Sequence, residues 1–201
     1  MKIIFATGNQ NKVRECHEIL DGLGLSVISQ KEAGLAPEVE ENGTTFEENA
    51  MIKAKAVAGL APEAIVIADD SGLEIDALNK EPGIYSARYM GEDTSYDIKN
   101  RNLLDRLKGV EEDKRTARFV CAIAVVMPGG ESFTCTGTIE GYIGDEPMGE
   151  NGFGYDPIFY VQPQGVSTAA LSPEEKNAIS HRGKAMRKMR EELAKRLGEK
   201  A

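Results

Sequence analysis

Lys2-Ile3-Ile4-Phe5-Ala6-Thr7-Gly8-Asn9-Gln10-Asn11-Lys12 opens on an apolar run, breaks at Thr-Gly-Asn, and leads into Val13, Cys16 and Leu20 at helical spacing. An apolar run bounded by a turn reads as a short buried strand, and the spacing after it reads as an amphipathic helix. The unit is therefore strand, loop, helix. Its loop sits where unpaired backbone N–H groups and the helix dipole favour an anion. Phosphate suits the place: Thr7 and Asn9 carry side-chain donors, Gly8 lets a ligand approach the backbone, and Lys12 lies about one turn into the helix with its ammonium free to swing back. This is not a Walker loop, which needs G-x-x-x-x-G-K-[ST]. An ordinary capped helix start with a surface lysine fits the same spacing, so the loop alone does not fix a function.

Working outward, a second strand is expected over residues 25–29, followed by a polar, Glu-rich loop from Pro37 to Gly43. Thr45 with Glu48 has the form of a capping box and opens a helix to about Leu60, whose Ala50, Ala54, Val57 and Ala58 make a small-residue face. Ile65 to Ala68 is a continuous apolar run ending in Asp69-Asp70-Ser71-Gly72, which puts two carboxylates at the end of a strand with side chains on opposite faces. Such a pair suits a hard divalent cation, because Mg²⁺ takes one or two carboxylates plus substrate phosphates. Asp70 is the first choice; one of the two aspartates is expected to serve as a turn or cap residue. Glu38, Glu40, Glu41, Glu47 and Glu48 are further acidic candidates, most of them expected to form a solvated charge run, while Glu41, beside Asn42-Gly43, can turn inward.

Further along, Thr94 with Asp97 is expected to cap a helix carrying Ile98, Leu103, Leu104 and Leu107. Residues 118–127 and 131–142 read as strands joined through Pro128-Gly129-Gly130. A stretch from Pro147 to Pro157, too dense in glycine for packing alone, precedes a strand over residues 158–161. Ser172-Pro173-Glu174-Glu175 starts a short helix with proline in its first turn, and Ser180 is placed to cap a terminal helix bearing Met186, Met189, Leu193 and Leu197. Lys176, His181 and Arg182 thus gather three donors near a break between helices. With His17 and His181 the only histidines, neither a zinc set nor a Ser-His-Asp triad can be assembled.

Bulk properties bound the rest. A chain of 201 residues fits one domain. Its net charge of -9 argues against nucleic-acid binding, which depends on neutralising many phosphates. Residues 172–201 nevertheless carry nine Lys or Arg against five Glu, a basic segment whose distal part reads as the solvated face of an amphipathic helix. Cys16, Cys121 and Cys135 sit in apolar runs without C-x-x-C spacing, which points to free thiols in a reducing cytoplasm. No run reaches the roughly 18 apolar residues of a membrane span.

Taken in order, Thr7-Gly8-Asn9 with Lys12, Thr45-Phe46-Glu47-Glu48-Asn49-Ala50, Ala68-Asp69-Asp70-Ser71-Gly72-Leu73, Pro82-Gly83 with Ser86-Ala87-Arg88-Tyr89, Gly152-Phe153-Gly154-Tyr155-Asp156-Pro157 and Ile179-Ser180-His181-Arg182 resemble the inosine triphosphate pyrophosphatase family, the XTP/dITP diphosphatases. The resemblance is collinear over almost the whole chain. It implies an elongated α/β fold, a single domain of two lobes around a central mixed β-sheet flanked by helices. It also implies a cytoplasmic homodimer and Mg²⁺-dependent cleavage of deaminated purine nucleoside triphosphates (ITP, dITP, XTP) to the monophosphate and pyrophosphate. By resemblance, Thr7, Gly8, Asn9, Gln10, Asn11 and Lys12 bind triphosphate, joined by Lys53. Asp70 holds metal and accepts a proton. Glu41 matches the acidic metal position, with the adjacent Glu40 the alternative. Ser71, Phe153, Gly154, Tyr155, Asp156, Lys176, His181 and Arg182 contact nucleotide. Within that set Phe153 is expected to stack on the purine and the Tyr155 ring to pack in the core. Lys176, His181 or Arg182 would read the 6-oxo group, and Asp156 or nearby backbone would accept from N1–H. A catalytically silent purine-nucleotide-binding module is the competing reading. An aspartyl-nucleophile phosphatase would show D-x-D-G-T after an early strand, which this chain lacks.

Overall fold

The opening run forms β1 (Lys2–Phe5), and the residues after the Thr-Gly-Asn turn form α1 (Gln10–Leu20). The computed structural model describes residues 2–21 and 24–198, apart from the side chain of Asn11. The other strands are β2 (Ser26–Ser29), β3 (Ile65–Ile75), β4 (Thr116–Val126), β5 (Ser132–Ile143), β6 (Phe159–Val161) and β7 (Val166–Ser167). The other helices are α2 (Phe46–Leu60), α3 (Tyr96–Arg106), α4 (Pro173–Ile179) and α5 (His181–Leu197). The strands form one sheet in the order β2-β1-β3-β4-β5-β6-β7. Pairing is parallel at β1–β2 and β1–β3 and antiparallel at β5–β6 and β6–β7, so the sheet is mixed and the class is α/β, as the sequence indicated.

The chain divides into two compact units. The first comprises the described residues of Met1–Asp70, Cys121–Gly137 and Arg182–Ala201. Its core joins Ile3 and Phe5 of β1, Cys16 and Leu20 of α1, and Met186 and Met189 of α5. The second comprises Ser71–Val120 and Thr138–His181, with a core around Leu73, Leu103, Phe119, Ile143, Ile158 and Phe159. All three cysteines are buried. Among the described residues no helix is long and apolar enough to cross a membrane.

Several boundaries moved. β3 does not stop at Asp69-Asp70 but runs on to Ile75, because Leu73 and Ile75 beyond Gly72 are fully buried and carry the strand forward. The two aspartates therefore sit in mid-strand. The N-cap position of α3 falls at Ser95, which makes no side-chain cap hydrogen bond, rather than at Thr94, whose hydroxyl donates to the Met90 carbonyl at 2.7 Å. β6 starts at Phe159, since Asp156–Ile158 close a 3₁₀ turn containing Pro157. Thr45 does cap α2, accepting from Glu48 N–H at 3.1 Å, but the Glu48 carboxylate reaches back to the N–H and hydroxyl of Thr44 rather than to Thr45. The Ser172–Glu175 capping box is complete. β7, two residues long, is too short for a hydrophobic pattern to reveal.

Backbone closeness limits one strand position sharply. A Cβ at Gly141 in β5 would run into the Tyr160 carbonyl oxygen and meet the Phe159 ring at 2.7 Å. Gly141→Ala is expected to cost about 1–3 kcal/mol, the usual cost of overpacking. Urea unfolding measures it, and an unchanged midpoint would show that the β5–β6 approach relaxes freely.

Candidate active site

Period-two alternation sends the two aspartates of β3 to different partners. Asp69 is almost wholly buried and accepts from Lys12 Nζ at 2.8 Å on Oδ1 and from Arg182 Nε at 3.3 Å on Oδ2. Arg182, at the start of α5, also reaches Glu15 of α1 at 3.2 Å. Burial works against the Asp69 charge, but Lys12 and Arg182 outweigh it and hold the carboxyl well below the usual carboxylate range. Asp69 is thus the structural partner of the pair. The expectation that Lys12 swings freely is corrected: one of its three ammonium donors is committed to Asp69, leaving the others for an incoming anion. Arg182, expected among the base-reading donors, has a buried guanidinium that braces Asp69.

Asp70 faces a different group. Lys53 Nζ, from α2, lies 3.4 Å from Asp70 Oδ1 and 3.1 Å from Glu41 Oε2, so one ammonium gathers both carboxylates. Of the two neighbouring glutamates, Glu41 faces Lys53, whereas Glu40 is exposed. Burial raises the Asp70 pKa; Lys53 pulls it back and Glu41 pushes it the same way as burial. Lys53 is itself opposed by burial, yet Asp70, Asp69 and Glu41 raise its pKa and keep it charged. Asp70 Oδ2 is buried without a hydrogen-bond partner. A carboxylate oxygen left open beside a second carboxylate is a donor set that fits Mg²⁺ completed by substrate phosphates. Among the described residues no group of three or more His, Cys, Asp or Glu side chains is gathered as a metal set.

The turn before α1 is shaped for an anion. Thr7 Oγ1 accepts from Asn9 N–H at 3.1 Å, which fixes the turn without using the hydroxyl proton. A Cβ at Gly8 would meet nothing within 4 Å, and its φ is not positive, so neither packing nor conformation demands glycine there. What its absence of side chain provides is access. The first turn of α1 carries no acidic residue, and Gln10 is exposed at its start. Asn11 lies in α1 with its side chain outside the described residues.

The second unit holds the other expected residues. Ser71 follows Asp70 on β3 and is partly exposed. Asp156 is buried and accepts from Phe153 N–H at 2.8 Å, Lys176 Nζ at 2.5 Å and Thr168 Oγ1 at 2.7 Å. Three protein donors meet its carboxylate, so it holds the loop and Lys176 whether or not it or nearby backbone also accepts from a purine N1–H. Gly152 has φ +78°, and a Cβ there would strike that carboxylate. Phe153 is 44% exposed, with Lys176 Nζ 5.0 Å from its ring centroid. Tyr155 is buried, its hydroxyl donating to the Ser86 carbonyl at 2.7 Å, so its ring belongs to the core. Gly154 has φ +71°. His181 is buried with its ring stacked on Phe119 at 4.9 Å.

Asn49 was not anticipated. It is fully buried on α2, accepts from Gly43 N–H at 2.9 Å, and its amide beside Asp70 favours the ionised carboxylate. An asparagine in the first turn of a helix carries no local signal of burial, so its place beside Asp70 is visible only in the fold.

Residues 3–192 match the Ham1 family. The chain is 53% identical over 186 residues to the dITP/XTP pyrophosphatase of Bacillus subtilis (strain 168), covering 92% of this chain and 93% of that protein. It is 50% identical over 199 residues to the dITP/XTP pyrophosphatase of Exiguobacterium sibiricum, covering 99% and 100%. The solved structure of the Staphylococcus aureus Ham1 protein is similar with a TM-score of 0.89 at 44% identity, covering 98% of this chain and 100% of that one.

Removing the Asp69 charge tests the ionic brace. Asp69→Asn removes one of the two carboxylates paired with the buried Arg182 guanidinium, Glu15 being the other, together with the partner of Lys12, and is expected to cost about 3 kcal/mol in denaturant unfolding. Because the folded-state pKa of Asp69 is depressed, its stabilisation is complete above the unfolded value near about 3.9 and is lost as pH falls below it. The variant should therefore show a weaker acid dependence than the parent, and identical acid profiles would refute the assignment.

Proposed function

The chain belongs to the Ham1 family, and from that premise we propose that it hydrolyses deaminated purine nucleoside triphosphates, ITP, dITP and XTP, to the monophosphate and pyrophosphate, clearing them from the nucleotide pool. The observation that carries the reading is the Glu41–Lys53–Asp70 group, two carboxylates gathered on one ammonium with Asp70 Oδ2 open. A buried carboxylate with an open oxygen and a pKa raised by burial suits a proton acceptor, which favours chemistry over silent binding.

The triphosphate is held by the α1 N-terminus, by Thr7 and Asn9, and by the uncommitted donors of Lys12 and Lys53. Asp70 and Glu41 hold Mg²⁺, which supplies charge neutralisation of the phosphate oxygens when bound. Asp70 accepts the proton of a water whose oxygen bonds to the α-phosphorus. The bond from that phosphorus to the α–β bridging oxygen breaks, and pyrophosphate leaves with the bond's electron pair. The lysines stabilise the charge that builds on the leaving oxygens. Phe153 stacks on the purine, and Lys176 donates to the 6-oxo group shared by hypoxanthine and xanthine. Adenine presents a donor at that edge, leaving the lysine's donor opposed. A homodimer completes the reading, in a reducing cytoplasm that suits three buried cysteines.

Purified protein incubated with Mg²⁺ and ITP, dITP, XTP, GTP or ATP should release pyrophosphate and monophosphate in equal amounts from the first three. Orthophosphate with a nucleoside diphosphate would overturn the bond assignment, and equal specificity constants for ATP and ITP would overturn the base assignment. Asp70→Asn should lower kcat by about 10²-fold or more while the unfolding midpoint is retained; near-parent turnover would remove Asp70 from the chemistry. Gly8→Ala should fold normally and raise KM for ITP, since the added methyl occupies only the approach to the loop.

A further inference from the structure

The loop that presents Phe153 is intrinsically loose. Gly152 and Gly154, on either side of Phe153, both adopt left-handed backbone conformations, φ +78° and +71°. Glycine pays the largest backbone entropy on ordering, so two of them around one aromatic residue need external restraint. One restraint is the Asp156 carboxylate, which accepts from the Phe153 N–H. On the other side of Phe153, Asn100 Nδ2 donates to the Gly154 carbonyl at 3.1 Å.

Asn100 lies on α3, only 3% exposed. Because its amide donates to a carbonyl, the orientation of the group is fixed, and Oδ1 must be the remaining acceptor. That oxygen is buried and has no hydrogen-bond partner. A buried, unpartnered acceptor costs about 1–3 kcal/mol, so stability alone favours an apolar residue of the same shape. One turn earlier on α3, the Tyr96 ring packs edge-on against Tyr155 at 5.2 Å, so the helix already meets the loop by apolar contact. What an asparagine adds is a directional hold on one peptide.

We infer that Asn100 is a positioning residue for base recognition: by fixing the Gly154 carbonyl from α3, against the Asp156 hold on the Phe153 N–H, it sets the plane of the Phe153 ring. This rests on the reading that Phe153 stacks on a purine. Asn100 touches neither the phosphates nor the reacting atoms, so its loss should act on nucleoside binding and not on the chemical step.

The chain contains no tryptophan, so Phe153→Trp places a sole fluorescent reporter in the loop. Asn100→Leu in that background should lower the reporter's anisotropy and raise its acrylamide quenching, with the thermal midpoint equal to or above that of the reporter protein. With Phe153 retained, Asn100→Leu should raise KM for ITP about tenfold, the worth of one hydrogen bond of ordinary strength. Its kcat and its inhibition by inorganic tripolyphosphate, which has no base, should stay at parent levels. Unchanged anisotropy overturns the inference, as does unchanged KM with a loosened loop. Parallel weakening of ITP and tripolyphosphate binding also overturns it, since a general structural defect acts on both. Failure of the parent protein to hydrolyse ITP would instead defeat the proposed function, and the anisotropy pair would still decide whether Asn100 fixes the loop.

Discussion

A buried carboxylate must be paired, and the pairing of Asp69 organises the first unit. Lys12 from α1 and Arg182 from α5 both converge on it, with Glu15 of α1 closing the circuit on Arg182. Removing such charges from water is expensive, and the return comes only when the geometry satisfies them together. The consequence is register. α1 cannot rotate without withdrawing Lys12, and α5 cannot without withdrawing Arg182. The turn from Thr7 to Asn9, which enters α1, is thereby presented in one orientation.

The neighbouring Asp70 shows what the same residue type does when the pairing is left incomplete. Strand alternation turns it away from the Asp69 partners and toward Lys53 and Glu41, where one ammonium meets two carboxylates and one oxygen remains open. A cluster with an excess of negative charge and an unfilled acceptor is poor as a structural device and good as a cation and proton acceptor site. The division of labour within Asp69-Asp70 is therefore set by the pleat: the side with two cations becomes a brace, the side with one becomes reactive.

Much of this was legible in the sequence, and the limits have physical causes. The strand–loop–helix opening, the mixed α/β class and the break between the last two helices at Ser180 follow from periodicity and caps, which are local. That one aspartate of the pair would be structural was also readable, though as a turn or cap residue and not as the mid-strand ionic brace that Asp69 is. Which cations would claim it was not, because Lys12 is 57 and Arg182 113 residues distant in sequence. The end of β3 was misplaced for the opposite reason. Two carboxylates and a glycine look like a strand exit locally, while burial of Leu73 and Ile75 in the second core overrides that signal. Asp156 or nearby backbone is expected to accept from the base, and only the three protein donors on Asp156 reveal that its carboxylate also holds its own loop.

Both groups accept a local cost in exchange for placement. In the first unit the cost is electrostatic, an open buried oxygen on Asp70 beside a second carboxylate. In the second it is conformational and polar: left-handed glycines at 152 and 154, and an unmet acceptor on Asn100. Glycine at 152 is required because any Cβ there strikes the Asp156 carboxylate, so the residue that loosens the loop is also the one that admits its principal tether. The freedom and the restraint are therefore a single design. The loop bends tightly enough to expose Phe153, and the carboxylate and amide on either side of that residue then remove the freedom that the bend required.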